Sequence, residues 1–154
     1  MCIRDSYEAG NYTTAANLLK PLADSGNAVA QHRLSVMHFY GRGVPENEQT
    51  ALAMARKSAA AGNVDAMYFL GTMFVFGDEA PKLVDDPDRE AAKWFFEAAK
   101  DSHPDAEYGL GLMFLAGKGV VQDQNEAIKW IRRAASHGHS GAQSFVASHD
   151  GKGK

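Results

Sequence analysis

Four stretches of this chain align with one another in phase, and that periodicity limits the fold more than any other feature. Ala30, Ala66, Ala106 and Ala142 are each followed four residues later by Leu34, Leu70, Leu110 or Val146. A small residue comes next each time: Ser35, Gly71, Gly111 or Ala147. The residues Gly26, Gly62, Ser102 and Gly138, placed to close helices, lie 36, 40 and 36 positions apart. A second block runs between them. Ala15, Ala51, Ala91 and Ala127 correspond, and Leu18, Met54, Trp94 and Trp130 sit three residues on. Leu22-Ala23, Ser58-Ala59, Ala98-Ala99 and Ala134-Ala135 complete the block. These i, i+3, i+4, i+7 spacings mark one face of a helix. Each unit therefore reads as a helix, a loop centred on Gly41, Gly77 or Gly117, and a second helix.

The boundary residues agree with this reading. Asn11, Asn47 and Asp123 can cap the second helices, with Glu126 completing a capping-box pattern, and Asp86-Pro87 sets a capper before a proline at the first helical position. Gly41, Gly77 and Gly117 are placed to take the left-handed conformation that ends the first helix of a unit. Repeat two is longer by four residues, since Gly77 to Ala91 spans 14 positions where Gly117 to Ala127 spans 10. The insertion, with Pro81 and Asp85-Asp86-Pro87-Asp88, falls in the inter-helix loop. A single hairpin cannot bury its apolar face, so stacked units must share a core. The expected organisation is a partial repeat at 7–26, repeats at 27–62, 63–102 and 103–138, and a partial repeat with tail at 139–154. Residues 1–6 stand apart: Met1-Cys2-Ile3-Arg4-Asp5 resembles a translated sequencing-library adapter, which would make the single cysteine foreign and the N-terminus truncated.

Composition removes several classes. A 154-residue chain with 45% hydrophobic and 23% charged residues is expected to fold. No apolar run is long enough to span a bilayer. A net charge of −3 argues against nucleic acid. One cysteine excludes an internal disulfide framework and a cysteine-rich zinc site.

The run Ala106-Glu107-Tyr108-Gly109-Leu110-Gly111-Leu112-Met113-Phe114-Leu115-Ala116-Gly117-Lys118-Gly119-Val120, followed by Asp123, Glu126-Ala127, Lys129-Trp130 and Ala134-Ala135, resembles the Sel-one-like repeat, a relative of the tetratricopeptide repeat. The resemblance extends from about Tyr7 to Ala147. It departs at Ser35 and His38 in repeat one and at Gly77-Asp78-Glu79 in repeat two, whose loop must turn differently. It implies an all-α, right-handed α-α superhelix of antiparallel hairpins whose first helices line a concave face. Carried onto this sequence, the family's groove positions include Arg33, Val36, Tyr40, Asp65, Tyr68, Phe69, Thr72, Phe76, Tyr108 and Leu112, the candidate partner-binding residues. They vary between repeats where the core positions do not. Arg33 and Phe69 are expected to be free of any shared core position, and Trp94 and Trp130 to be buried at equivalent ones.

The remaining chemistry reads as structural. The six histidines lack ligand spacing, and His137 and His139 sit where a histidine favours the end of a helix dipole. Asp85, Asp86 and Asp88 read as a solvated capping loop, and Lys129, Arg132 and Arg133 as an exposed helix face. No nucleophile or phosphate-loop motif is present. No metal, cofactor or catalytic residue is therefore assigned. The leading expectation is a non-catalytic adaptor or scaffold binding a protein or peptide. An envelope protein that binds glycan or peptidoglycan fragments is the alternative. A β-lactam hydrolase ranks last, because the cysteine pairs of the relatives associated with that activity are missing. A bacterial periplasmic or cytoplasmic location is expected.

Overall fold

The structure, a computed structural model, describes residues 11–152. The adapter expectation for residues 1–6, and the first part of the 7–26 unit, lie outside the described residues. Among the described residues eight α-helices follow one another: α1 (Tyr12–Asp24), α2 (Ala28–Tyr40), α3 (Glu48–Ala60), α4 (Val64–Phe76), α5 (Pro87–Lys100), α6 (Pro104–Ala116), α7 (Gln124–Ser136) and α8 (Ser140–Lys152). A 3₁₀ turn, Ala80–Leu83, precedes α5, and no strand occurs among the described residues. The tightest pairs are α2 with α3, α4 with α5, and α6 with α7, each hairpin packing on the next. The fold is the right-handed all-α solenoid that the resemblance implies.

The hairpins close where small residues sit. A Cβ added to Gly71 would lie 2.6 Å from the Phe95 ring and 3.2 Å from the Ala91 carbonyl oxygen. One added to Gly111 would lie 2.5 Å from Ile131 Cγ1 and 3.1 Å from the Ala127 carbonyl oxygen. Repeat one has Ser35 at this position, and its hydroxyl donates to the equivalent carbonyl of Ala51 at 2.6 Å. The residue equivalent to Phe95 and Ile131 is Ala55 there, so the volume removed from one helix is returned by the other. The departure at Ser35 is thus a compensated pair.

The caps follow the sequence closely. Asn11, Asn27, Asn47 and Asn63 each accept the N–H three residues on, as do Asp86 and Asp123. Gly41 and Gly117 end α2 and α6 in the left-handed conformation, at φ 66° and 67°. Two residues on, Gly43 and Gly119 press against the backbone of Tyr12 and Asp88, where a Cβ would collide. Gly77 corrects the expectation made for it. At φ −71° and ψ 162° it is extended. Its loop is held instead by the Glu48 carboxylate, which accepts the N–H groups of Asp78, Glu79 and Ala80 at 2.9 to 3.0 Å. Ser102 fills a glycine position at φ 63°, beside 97°, 92° and 93° at Gly26, Gly62 and Gly138.

The tryptophans are not equivalent. Trp130 is buried, with Arg133 over its ring at 4.9 Å and Phe96 edge-on at 6.1 Å. Trp94 is only half-buried. The residue one repeat before Phe96 is Arg56, which lies over Phe74 at 5.8 Å. Trp94 therefore lacks an equivalent aromatic cover, and Phe95 takes the inward position.

Two outcomes test this packing. Trp130→Ala is expected to cost about 3–5 kcal/mol and Trp94→Ala clearly less, compared through urea midpoints; equal losses would restore their equivalence. Gly111→Ser overpacks α6 against α7 and is expected to cost about 1–3 kcal/mol. Adding Ile131→Ala recreates the Ser35/Ala55 pairing, so the double variant should be more stable than the two separate losses sum to.

Candidate functional site

The first helices of the units, α2, α4, α6 and α8, form one face, and the residues that begin them differ in a patterned way. Asn27 and Asn63 cap α2 and α4, but His103 and His139 cap α6 and α8. Each histidine uses Nδ1 as the acceptor, for the N–H of Ala106 at 3.2 Å and of Ala142 at 3.0 Å. That fixes the tautomer and leaves Nε2–H to donate. His103 donates to Asp65 at 3.0 Å and His139 faces Asp105 at 3.1 Å. The rings stack on Tyr68 and Tyr108, at 4.8 and 4.4 Å between centroids. One Asp-x-x-Tyr turn thus joins the histidine of the following unit, twice over. His139 is in this way a cap and an inter-repeat contact, a different role from the helix-dipole one read from sequence.

Between α4 and α6 lies a cleft of about 290 Å³ with mostly apolar walls. Tyr68, Thr72, Val75 and Phe76 face it from α4, Tyr108, Gly109, Leu112 and Met113 from α6, with Phe95 below. Gly109 is the reason for the space. The equivalent residues are Arg33, Phe69 and Phe145. A Cβ on Gly109 would meet Phe95 at 3.5 Å, ordinary contact, so the position is empty by choice of residue and not by crowding. Tyr68 stacks on Phe95 at 5.4 Å, and Thr72 donates to the Tyr68 carbonyl at 3.0 Å. Burial first, and then the Asp105 carboxylate, pushes the Tyr68 phenol above its ordinary range.

Five of the ten candidate residues therefore meet in one cleft: Tyr68, Thr72, Phe76, Tyr108 and Leu112. Phe76 is 75% exposed and Leu112 40%, so both are open to a partner. Asp65 engages His103. Arg33, Val36 and Tyr40 lie on α2, outside this cleft; Val36 packs partly on the core, and Tyr40 is exposed beneath the Arg42 guanidinium at 4.8 Å. Phe69 is corrected. It is buried, packed edge-on against Phe39 at 5.5 Å and His32 at 6.0 Å, because it bridges α2 and α4 instead of facing outward.

Sequence reasoning passed over Glu107, a fully buried carboxylate on α6. Its Oε2 pairs with Arg133 Nε at 2.9 Å, and its Oε1 accepts from His137 Nδ1 at 2.7 Å. The equivalent Gln31 and Gln143 donate to the carbonyls of Ala23 and Ala135 on the preceding helices. A glutamate cannot donate, and Arg133 extends toward the matching Ala99 carbonyl at 3.5 Å. Arg133 is thus half-buried and engaged, not part of a solvated basic face. The signal available was a glutamate at a position that holds Gln31 in repeat one, Met67 in repeat two and Gln143 in the last unit. Lys129 pairs with Glu126 and Arg132 with Asp150, both at the surface. No group of three His, Cys, Asp or Glu able to hold a metal occurs among the described residues.

His32 has a buried Nδ1 with no hydrogen-bond partner, and burial lowers its pKa below 6.5. The folded state thus favours neutral imidazole, and the unfolded chain binds the additional proton. The stability this contributes is fully present above 6.5 and falls as pH drops from there toward the folded value. His32→Leu removes the group. Urea midpoints from about pH 7.5 to about pH 5 should show the wild type losing more stability than the variant; parallel curves would assign the pH dependence elsewhere.

Comparison with known proteins matches this geometry to a family. The Sel1 repeat pattern fits residues 28–63, 64–103 and 104–139. The chain is 29% identical to an exopolysaccharide production negative regulator of Rhizobium meliloti, over 89% of this chain and 55% of that protein. It is 30% identical to a chitin synthase regulator of Malassezia restricta, over 84% of this chain and 9% of that one. The crystal structure of a Sel1 repeat protein from Oxalobacter formigenes superposes with a TM-score of 0.82 at 30% identity, covering 91% of this chain and 54% of that chain. The chain spans just over half of the Rhizobium and Oxalobacter proteins and a small part of the fungal one. No described helix is long and apolar enough to cross a membrane. With three consecutive repeats matched and their hairpins stacked in phase, the chain belongs to the Sel1 repeat family.

Proposed function

We propose that this chain is a non-catalytic adaptor or scaffold that binds a protein or peptide segment on the concave face, through the cleft between α4 and α6. One observation carries the reading: exposed apolar side chains from two repeats converge on a cleft lined by little polar surface. Such walls suit a partner's apolar anchors. The regulatory names of the Rhizobium and Malassezia relatives support a role exerted through another protein.

The Asp–His pairs beside the cleft are the features closest to catalytic machinery, and their wiring favours structure. In each, Nδ1 is occupied by a helix N–H and Nε2 by the carboxylate, so the ring has no free nitrogen to offer a substrate as general base. A glycan partner is less well served. Trp130 is buried under Arg133 and Phe96, and neither tryptophan lines the cleft.

The test is capture from source cells with the wild type and a Phe76→Ala, Leu112→Ala double variant, with helicity checked by circular dichroism. Both side chains are exposed, so the fold should persist. Binding of a specific partner is expected to weaken by about 2 kcal/mol or more if either is a hot spot. Undiminished capture by the folded variant would move the binding surface away from this cleft.

A further inference from the structure

The cleft has a direction, and that narrows what can occupy it. At one end, where α6 begins, stands Asp105, whose side chain is 57% exposed although one oxygen faces His139. At the other end, past the close of α6, stands Lys118, 53% exposed and only loosely paired with Asp88 at 3.7 Å. Asp105 to Ala116 covers about 16 Å along the helix axis. Midway lies the gap left by Gly109, floored by Phe95. Charge of one sign, an apolar hole and charge of the other sign therefore succeed one another along a single line. The other units do not reproduce this, since Arg33, Phe69 and Phe145 stand where Gly109 does.

Resting on the proposed binding role, we infer that the occupant is a peptide segment with one bulky aliphatic or aromatic anchor seated over Gly109, a carboxylate toward Lys118 and a cationic side chain toward Asp105. The polarity of the rim sets the direction in which the segment lies. The glycine sets the register, because it gives the anchor one place to enter.

The probe is a phage-displayed library of random peptides about twelve residues long, enough to span the cleft even in helical form. It is panned on the wild-type protein, and enriched peptides are synthesised and titrated by fluorescence polarisation. Enriched sequences are expected to share one large apolar residue between an acidic and a basic one. Gly109→Leu fills the hole and should weaken these peptides at least tenfold. It also replaces a helix-interior glycine with a strong helix former, so loss of fold is not the expected cause, and circular dichroism checks this. Lys118→Glu should weaken them as well, with recovery when the peptide's acidic residue is changed to lysine. Peptides that bind Gly109→Leu as tightly as the wild type overturn this inference; if Phe76→Ala, Leu112→Ala still weakens them, the cleft-binding reading survives without it. Failure to enrich any peptide on the wild type overturns the inference, whereas the pull-down tests the wider proposal independently.

Discussion

The contact on which the other features rest is the close approach of the two helices in each hairpin. At Ser35, Gly71 and Gly111 the first helix comes within reach of a backbone carbonyl of the second, that of Ala51, Ala91 and Ala127 respectively. A larger residue at any of these points would separate the pair. The separation would propagate, because the second helix of one unit is the platform for the first helix of the next. The three units meet this constraint with two combinations of side chains, Ser with Ala and Gly with a large residue. What the repeat preserves is summed volume and not residue identity.

That platform also explains why a cleft opens between α4 and α6. Phe95 faces Gly71 across its own hairpin and forms the floor beneath Gly109 of the next. Two glycines on successive first helices thus meet the same phenyl ring with opposite results. At Gly71 the ring fills the space; at Gly109 it leaves a surface open. Where Phe69 stands at the equivalent site, the side chain spans to Phe39 and His32 and closes the gap. A filled position and an open one are therefore separated here by a single choice of side chain.

The features legible in the sequence were those set by near neighbours along the chain. Helix spacing, Asn and Asp caps and the left-handed turns at Gly41 and Gly117 depend on residues within one turn of each other, and repetition made them easier to see. The features misread depend on partners a repeat or more away. Gly77 turns as it does because Glu48, about thirty positions earlier, takes up three N–H groups. Arg133 is drawn inward by Glu107. Trp94 is left half-covered because Arg56 stands where Phe96 serves Trp130. Phe69 shared the alignment column of groove residues, but a column fixes a position on the helix and not what the neighbouring helix offers it. Half of the candidate residues line one cleft, since the column places them on the same side of successive first helices.

The joints between successive first helices are of two chemical kinds. The joint of α2 with α4 is made from packed rings, Phe69 between Phe39 and His32. Those of α4 with α6 and of α6 with α8 carry a carboxylate–imidazole contact and a stacked tyrosine, with the imidazole also capping the next helix. Apolar joints weaken on cooling, whereas a carboxylate held by an imidazole N–H draws on a hydrogen bond to a charged group and not on apolar burial. Viewed as a row of coupled elements, the described array is stiffened by different interactions along its length. Cold would redistribute its compliance along the axis without changing which helices touch.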